Sequence, residues 1–284
     1  MTRGTVLITG TGGLIGSHVL RAAPALAPDW NVIGLTRRNF DLTDSAAVRR
    51  AFERFKPGLV IHCAALSKSN DCQANPNLAR TLNVEVTARL AELAMQIPFY
   101  FLSTDLVFDG RQGNYIETAP VNPLSVYAET KVAAEQIVLG NPRHTVIRTS
   151  LNGGISPTGD RGFNEEIRNA WRTGKTLTFF ADEFRCPIPA AFTARAILEL
   201  AARKATGVYH VAGSERLSRW QIGQLLAERW PQLNPKFQRG LLKDFPGPPR
   251  APDTSLNSGK AQKLLSFHLP GLGAWLKASP NEPF

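Results

Sequence analysis

The chain has 284 residues, of which 43% are hydrophobic, and this is enough for a substantial core in one large or two modest domains. Its 33 Lys and Arg residues outnumber its 23 Asp and Glu residues, but the positive excess is spread along the chain, which argues against nucleic-acid binding. No apolar run approaches the roughly 20 residues of a membrane helix, and the first residues do not resemble a secretory leader. We therefore expect a cytoplasmic protein with neither nucleic acid nor membrane as a partner.

The cysteine pattern gives no sign of a metal site. Cys63, Cys72 and Cys186 lack metal-ligand spacing, and their odd number argues against a closed disulfide framework. The five histidines are dispersed along the chain. We therefore expect reduced thiols and no bound metal.

The first half of the chain alternates short β-branched runs with amphipathic segments. The predicted strands are Thr5–Thr9, Asn31–Leu35, Leu59–His62, Phe99–Ser103 and Thr145–Arg148, and the predicted helices are Leu14–Ala23, Ser45–Phe55, Asn77–Met95 and Val126–Leu139. Strands that alternate with helices predict right-handed βαβ units and a parallel sheet. The strands are apolar almost throughout, which indicates helices on both faces. The predicted fold class is α/β, a Rossmann-type doubly wound parallel sheet.

Beyond Arg148 the pattern loosens into loops rich in glycine and proline. Further helices are predicted at Phe163–Arg172, Ala191–Ala202 and Arg219–Glu228, with a strand at Val208–Val211. We predict an NADP-binding Rossmann domain over residues 1–150, rejoined by about 187–213. Residues 151–186 and 214–284 are predicted to form a smaller C-terminal substrate-binding domain.

A glycine-rich turn follows the first strand directly. Gly10, Gly13 and Gly16 are spaced for a dinucleotide-binding turn, and a helix begins there with Leu14 and Ile15. Glycines permit a tight turn and close approach of a pyrophosphate, while the helix N-terminus supplies N–H donors. The placement between strand and helix favours this function over a plain structural turn.

The end of the second strand indicates which dinucleotide binds. NAD sites place a carboxylate there for the ribose hydroxyls, whereas this chain has Arg37 and Arg38, whose planar forks suit a 2′-phosphate. We expect NADPH as the cofactor, with NADH as the less favoured alternative; solvated surface arginines are the competing interpretation. Asp41 and Leu42 could approach the adenine, with helix capping as the alternative for Asp41.

Two segments carry candidate catalytic groups. Tyr127 and Lys131 lie one turn apart on a predicted helix, and a nearby ammonium makes a phenol a better proton donor. Ser103, Thr104 and Asp105 follow another strand and supply a hydroxyl to hold a substrate oxygen. Both segments follow sheet strands, on the carboxyl side where open α/β sheets bind ligands.

These motifs resemble the reductase branch of the extended short-chain dehydrogenases, and specifically the dTDP-4-dehydrorhamnose reductase (RmlD-like) family. The segments that carry the resemblance are residues 9–16, 41–44, 60–65, 71–83, 103–110, 127–131, 148–150, 182–187 and 250–256. The most specific is the S-T-D-x-V-F-D-G stretch at 103–110. The resemblance implies NADPH-dependent reduction of a carbonyl, and in particular of the 4-keto group of a nucleotide-linked deoxysugar.

The resemblance also implies roles for individual residues. Thr104 and Tyr127 would bind and protonate the carbonyl oxygen, Lys131 would hold the nicotinamide ribose, and Asp105 would contact the sugar. The cofactor side would include Cys63, Ala64, Ala65, Asn83, Ser103, Tyr127 and Lys131. Asn83 would support the site through hydrogen bonds, although an ordinary helix position remains an alternative.

Two departures from related enzymes bear on the substrate. Leu106 stands where nucleotide-sugar dehydratases have a glutamate base, which argues against dehydration. Leu151 stands where rhamnose-pathway reductases have a tryptophan that can stack on a sugar. We expect Leu151 to face the substrate, but without that aromatic platform the identity of the sugar stays open.

Two other functions remain as alternatives. The methionine adenosyltransferase beta subunit resembles the same branch, so a non-catalytic NADP-binding regulatory subunit is one. An epimerase that retains NAD is another, and Arg37 and Arg38 disfavour it. The expected partner is a small molecule, a nucleotide sugar, and the expected assembly is a monomer or homodimer.

Overall fold

The computed structural model describes residues 4–247 and 249–284; positions 1–3 and 248, which fall within the predicted domain ranges, lie outside the described residues. The strands are β1 (Gly4–Thr9), β2 (Trp30–Leu35), β3 (Pro57–His62), β4 (Phe99–Thr104), β5 (Thr145–Thr149), β6 (Asn152–Gly153), β7 (Leu177–Phe180), β8 (Phe184–Arg185), β9 (Ile188–Pro189), β10 (Gly207–Val211), β11 (Leu217–Ser218) and β12 (Phe237–Gly240). The α-helices are α1 (Leu14–Leu26), α2 (Ser45–Phe55), α3 (Ser69–Ala74), α4 (Pro76–Arg80), α5 (Val86–Leu93), α6 (Val126–Leu139), α7 (Phe163–Arg172), α8 (Ala190–Ala202), α9 (Arg219–Arg229), α10 (Gly259–Gln262) and α11 (Leu272–Ala278).

The main sheet confirms the predicted α/β fold. Its six strands lie in the order β10-β5-β4-β3-β1-β2, and all neighbouring pairs are parallel. The strand β1 has β2 on one side and β3 on the other, so the direction of winding reverses at this point. Open α/β sheets bind ligands in the crevice outside the carboxyl ends of the strands at such a reversal.

Helices cover both faces of this sheet because successive strand side chains point in opposite directions. Ile8 shares an apolar cluster with Val19 of α1 and Ile197 of α8. Its neighbour Leu7 belongs to a second cluster with Leu90 of α5. Burial of each such side chain contributes about 1.5–3 kcal/mol. The two clusters hold the carboxyl ends of the strands in fixed register.

The segment predicted as one helix over Asn77–Met95 is interrupted. It consists of α4, a π-helical turn at Thr81–Glu85, and α5, and the short helix α3 precedes it without a counterpart in the predictions. A π-turn adds one residue to a helical turn and is often found at functional sites. Here it contains Asn83, whose side chain is buried.

The remainder of the chain forms a smaller lobe around its own apolar cluster, which includes Phe163, Trp171, Ile222 and Leu272. In contrast, α8 packs against α1 and β10 extends the main sheet. The exact domain boundaries stay a prediction. Within the described part of the chain, no helix is long and apolar enough to cross a membrane.

Candidate active site

The glycine turn between β1 and α1 lies at the crevice where the sheet reverses. Gly10 has a φ of +72°, and a Cβ at this position would lie 2.6 Å from the backbone nitrogen of Ala64, so only glycine fits. The Gly13 N–H donates to the Gly10 carbonyl at 2.9 Å and closes the turn. Gly13 is also the N-cap of α1, where no side chain caps the helix. The first N–H groups of α1 therefore face the crevice as donors for an anion.

Two buried hydroxyl groups bear on whether this crevice fits a dinucleotide. Thr11 Oγ1, in the glycine turn, and Ser103 Oγ, at the end of β4, are buried and have no hydrogen-bond partner among the described residues. Such orphaned groups are rare in folded proteins and usually meet a ligand, an ion or water. The uncapped helix, the glycine-lined approach and the two hydroxyls fit a nicotinamide dinucleotide with its pyrophosphate at α1.

The wall opposite the glycine turn is residues 63–65, after β3. Thr9 Oγ1 accepts a hydrogen bond from the Ala64 N–H at 3.3 Å and lies 2.6 Å from His62 Nδ1. On the other side of the ring, Thr87 Oγ1 lies 3.1 Å from His62 Nε2 and donates to the Asn83 carbonyl at 2.7 Å. Burial lowers the pKa of His62 to about 3, so the ring is neutral. The Thr87 donor is already used, so the hydrogen-bond pattern assigns the proton to Nε2.

Asn83 connects this wall to the helix that carries the catalytic pair. Its Oδ1 accepts from the Leu66 N–H at 2.8 Å, and its Nδ2 donates to the Leu66 carbonyl at 3.1 Å and to Thr130 Oγ1 at 3.0 Å. The side chain is 1% exposed. Asn83 therefore ties Leu66 to Thr130, and its effect on the cofactor stays a prediction.

Lys131 and Tyr127 both lie on α6, with their side chains in the protein interior. Lys131 Nζ donates to the Leu102 carbonyl at 2.7 Å and lies 3.8 Å from the centre of the Phe101 ring. Burial lowers the pKa of Lys131 to about 7. Ser125 caps the start of α6 by accepting from the Ala128 N–H at 3.3 Å, and this fixes the helix turn that presents Tyr127.

The structure brings the Tyr127 phenol to the Thr104 hydroxyl. Burial raises the pKa of Tyr127 above its usual value, while the neighbouring Thr104 hydroxyl lowers it. Thr104 Oγ1 also accepts from the Leu106 N–H at 3.2 Å. Two hydroxyl groups held together at the carboxyl edge can bind one carbonyl oxygen, and the phenol can protonate it.

Asp105 requires a correction. The residue is 0% exposed, and its carboxylate accepts from Arg185 Nε at 2.8 Å, from Arg185 Nη2 at 2.7 Å and from Ser150 Oγ at 2.6 Å. No surface of Asp105 is left for a sugar, so its predicted contact with the substrate is wrong in this structure. It is a buried partner of Arg185 instead.

Arg185 belongs to a charged cluster that the sequence interpretation missed. Glu183 Oε1 lies 3.8 Å from Arg185 Nη1, and the Glu183 carboxylate accepts two hydrogen bonds from Arg250, each 2.9 Å long. Arg219 also faces this carboxylate, and together with the other two guanidinium groups it holds the pKa of Glu183 below its usual value against the effect of burial. The Glu-Phe-Arg triplet at 183–185 places opposite charges two positions apart, and this was the feature of the sequence that could have indicated the cluster.

This cluster forms one side of a pocket beside the hydroxyl pair. Leu106, Leu124, Ser125, Arg185 and Arg250 are among its lining residues. Leu106 and Ser125 are each two residues along the chain from Thr104 and Tyr127, so the pocket lies near the segments that carry them. The lining combines apolar side chains with the Glu183–Arg250 ion pair, of which the Arg250 side chain is 35% exposed. Such a lining suits a substrate that has both apolar and polar parts.

The remaining predicted cofactor residues lie around the end of β2. Arg37 and Arg38 are exposed in the turn that follows it. Asp41 accepts from the Thr43 backbone and hydroxyl, both at 2.8 Å, so it stabilises a turn, whereas Asp44 is the N-cap of α2. The helix-capping alternative for Asp41 is therefore wrong.

Two apolar site residues have packing roles in the structure. Leu42 is partly buried against the core cluster of α2 and α5. Leu151 is partly buried against the cluster of the smaller lobe, and its carbonyl accepts from the Ile188 N–H at 2.9 Å. Leu14 and Ile15 face the interior from the first turn of α1. A contact between Leu151 and the substrate stays a prediction.

The described residues show no arrangement typical of a metal centre. In residues 4–247 and 249–284, no three side chains of His, Cys, Asp or Glu converge as ligands. Cys63, Cys72 and Cys186 are unbridged. Burial raises the pKa of Cys63 to about 12, so its thiol stays protonated.

Comparison with known proteins finds relatives along most of the chain. Methionine adenosyltransferase 2 subunit beta from Xenopus laevis is 28% identical over 275 residues, which cover 91% of this chain and 81% of the relative. The dTDP-4-dehydrorhamnose reductase of Sinorhizobium fredii is 27% identical over 278 residues, which cover 93% and 92% of the two chains. A crystal structure of a hypothetical dTDP-4-dehydrorhamnose reductase from Sulfolobus tokodaii is 29% identical, with a TM-score of 0.83 and coverage of 94% and 97%.

A family model for the RmlD substrate binding domain matches residues 4–279 and confirms the resemblance seen in the sequence. The match includes the glycine turn, the Thr104 segment, α6 and the charged cluster around Glu183. The chain therefore belongs to the RmlD substrate binding domain family.

Proposed function

We propose that this protein is an NADPH-dependent reductase of the keto group of a nucleotide-linked deoxysugar, with Thr104, Tyr127 and Lys131 as its catalytic residues. The observation that carries the proposal is the proximity of the Thr104 hydroxyl to the Tyr127 phenol, at the carboxyl edge of the sheet that also carries the glycine turn. A carbonyl oxygen placed at this pair would receive a hydrogen bond from one group and a proton from the other.

A bound nicotinamide dinucleotide would supply the hydride, and the chain positions and stabilises the reacting groups. Burial raises the pKa of Tyr127, so the phenol is protonated at neutral pH and ready to donate to the oxygen that gains negative charge. The Lys131 ammonium, on the same helix one turn away, stabilises the phenolate that remains. Thr104 holds the carbonyl oxygen during this transfer.

The proposed preference for NADPH rests on the turn after β2. Arg37 and Arg38 present exposed guanidinium groups where an NAD site has a carboxylate, and such groups can bind a 2′-phosphate. Thr11 N donates to the Leu35 carbonyl at 3.1 Å, which links this turn to the glycine turn. The 2′-phosphate of the cofactor would therefore meet Arg37 and Arg38, and its pyrophosphate would meet the N-terminus of α1.

The proposed substrate class rests on the pocket and on the relatives. Arg250 lines the pocket with a side chain that is 35% exposed and can reach an anionic part of a nucleotide sugar, and Leu106 stands where dehydration would need a base. One relative is named dTDP-4-dehydrorhamnose reductase and another dTDP-4-keto-6-deoxy-D-glucose reductase. We also propose a cytoplasmic monomer or homodimer with no nucleic-acid partner.

The test is oxidation of NADPH by the purified protein with a panel of nucleotide-linked keto sugars and simple ketones. Tyr127→Phe removes only the phenolic hydroxyl, so we expect turnover to fall at least 100-fold while the dissociation constant for NADPH stays within about threefold. Turnover that is unchanged in this variant contradicts the assignment. NAD that stays bound through purification would favour an epimerase instead.

A second candidate is a non-catalytic regulatory subunit. It is favoured by the 28% identity to methionine adenosyltransferase 2 subunit beta over 275 residues. This candidate predicts tight NADPH binding, no turnover with any substrate of the panel, and a stable complex with a catalytic subunit of another sequence. Size-exclusion chromatography of the mixed proteins separates the two candidates.

A further inference from the structure

Arg185 and Asp105 form a buried, bidentate ion pair immediately behind the hydroxyl pair. Arg185 comes from β8 and Asp105 from the turn after β4, and their side chains are 8% and 1% exposed. Ser150 Oγ donates to Asp105 Oδ2 at 2.6 Å, and Thr254 Oγ1 donates to the same oxygen at 3.3 Å. The carboxylate thus accepts from four donor atoms, two of Arg185, one of Ser150 and one of Thr254.

Asp105 is also in contact with the catalytic hydroxyl. Thr104 Oγ1 donates to Asp105 Oδ1 over 3.3 Å, which is long for a bond between a hydroxyl and a carboxylate. That same Oδ1 accepts from Arg185 Nη2 at 2.7 Å. The guanidinium group therefore takes most of the accepting capacity of an oxygen that would otherwise compete with a substrate carbonyl for the Thr104 proton.

We propose that Arg185 is a positioning residue for proton transfer, because it binds both oxygens of Asp105, leaves the Thr104 hydroxyl available to the substrate carbonyl, and offsets the Asp105 charge next to Tyr127. This inference rests on the proposed function. Arg185 acts through Asp105 and Thr104 and does not contact the reacting atoms.

The charges around the phenol agree with this assignment. Burial has the largest effect on the pKa of Tyr127 and raises it; the charge of Asp105 raises it further, and Arg185 lowers it. Cys72 of α3 also faces the phenol, and burial raises the pKa of that thiol, so it stays neutral at pH 7. Lys131 is buried one helical turn from Tyr127 on α6.

The experiment follows ionisation of Tyr127 without any substrate. The chain has four tyrosines, and all four are replaced by a polyfluorinated tyrosine whose phenol has a pKa several units lower. The fluorine signal of residue 127 is identified by its loss in Tyr127→Phe. Fluorine NMR then gives the ionisation midpoint of each ring in wild type, Arg185→Gln, Asp105→Asn and the double variant. The signals of Tyr100, Tyr115 and Tyr209 serve as internal controls.

We expect opposite shifts from the two single variants. Arg185→Gln leaves the Asp105 charge without its partner and raises the Tyr127 midpoint by about one pH unit, whereas Asp105→Asn leaves Arg185 and lowers it by a similar amount. The double variant removes both charges and returns the midpoint close to the wild-type value. A variant that only loosens the fold would not produce shifts of opposite sign.

Arg185→Gln leaves a buried carboxylate with only neutral donors and can fail to fold, so Asp105→Asn and the double variant then carry the test. Equal midpoints in the folded variants, or shifts of the same sign, overturn the role of Arg185 whatever the enzymatic activity. Opposite shifts in a protein that reduces no keto sugar contradict the proposed function but keep the electrostatic effect. In an active protein, the role also requires that Arg185→Gln lowers kcat more than it changes KM.

Discussion

Replacement of Asn83 by alanine tests the connection between the cofactor wall and the catalytic helix. The amide makes three hydrogen bonds, two to the backbone of Leu66 and one to Thr130. Thr130 Oγ1 in turn donates to the Tyr127 carbonyl at 2.7 Å, so the network runs from residues 63–66 to the first turn of α6. Alanine removes all of these contacts at once.

The size of the effect follows from the number of bonds and their burial. Each net hydrogen bond contributes about 1 kcal/mol, and a buried group left unpaired costs about 1–3 kcal/mol. The Leu66 backbone is only partly buried and can recover some bonding to water, so we expect a loss of about 2–3 kcal/mol in the free energy of unfolding. Because residues 63–66 then lose their anchor, NADPH affinity should fall about tenfold, which corresponds to ~1.4 kcal/mol.

Urea denaturation gives the stability change, and a fluorescence titration with NADPH gives the affinity. Asn77→Ala is the matched control, since Asn77 is an exposed asparagine on α4 and should change stability by no more than about 0.5 kcal/mol. If Asn83→Ala matches this control in both measurements, Asn83 is an ordinary helix residue and the reasoning is refuted.

Three further predictions address the glycine turn, the cofactor preference and the pH dependence. Gly10→Ala should lose NADPH binding and should destabilise the fold more than Gly174→Ala. Gly174 is the control because it has a similar φ of +73° but no atom within 4 Å of the added Cβ. Equal losses in both variants would show that backbone strain alone acts at Gly10. The double variant Arg37→Ala, Arg38→Ala should raise the dissociation constant of NADPH at least tenfold more than that of NADH, and an equal loss for both rejects the 2′-phosphate role. Burial lowers the pKa of Lys131 to about 7. Between pH 7 and about 10.4, Lys131 is therefore mostly neutral in the native state but still protonated in the unfolded state. Because the unfolded state binds more protons, this group makes the free energy of unfolding rise with pH over that range. The free energy of unfolding of wild type relative to Lys131→Met should therefore rise between these pH values, and a flat or falling difference in urea denaturation would contradict the assignment.

Local patterns were sufficient to predict the sheet and the cofactor crevice. The strand at Thr5–Thr9, the three glycines and the following helix encode β1, the turn and α1 through short-range sterics, and the structure places them within a few residues of the prediction. The spacing of Tyr127 and Lys131 likewise depends only on one helical turn. The π-turn at Thr81–Glu85 was not predictable from an apolar stripe, because a stripe at helical spacing does not reveal one inserted residue.

The role of Asp105 could not be predicted because its partner is distant in sequence. Arg185 lies 80 positions along the chain, and the two meet only after β8 has docked against the turn that follows β4. A carboxylate after a strand end has the same local sequence whether it faces a substrate or a buried arginine. The same limit applies to Glu183 and Arg250, which are 67 positions apart.

The most direct test of the central claim is transfer of label from the cofactor to the substrate. NADPH deuterated at the reactive nicotinamide carbon is mixed with a nucleotide-linked 4-keto deoxysugar and the protein, and the product is examined by mass spectrometry and NMR. The account predicts one deuterium on the new alcohol carbon with wild type and almost none with Tyr127→Phe. Absence of labelled alcohol in both proteins, while each still binds NADPH, would contradict it, and so would equal labelling in both.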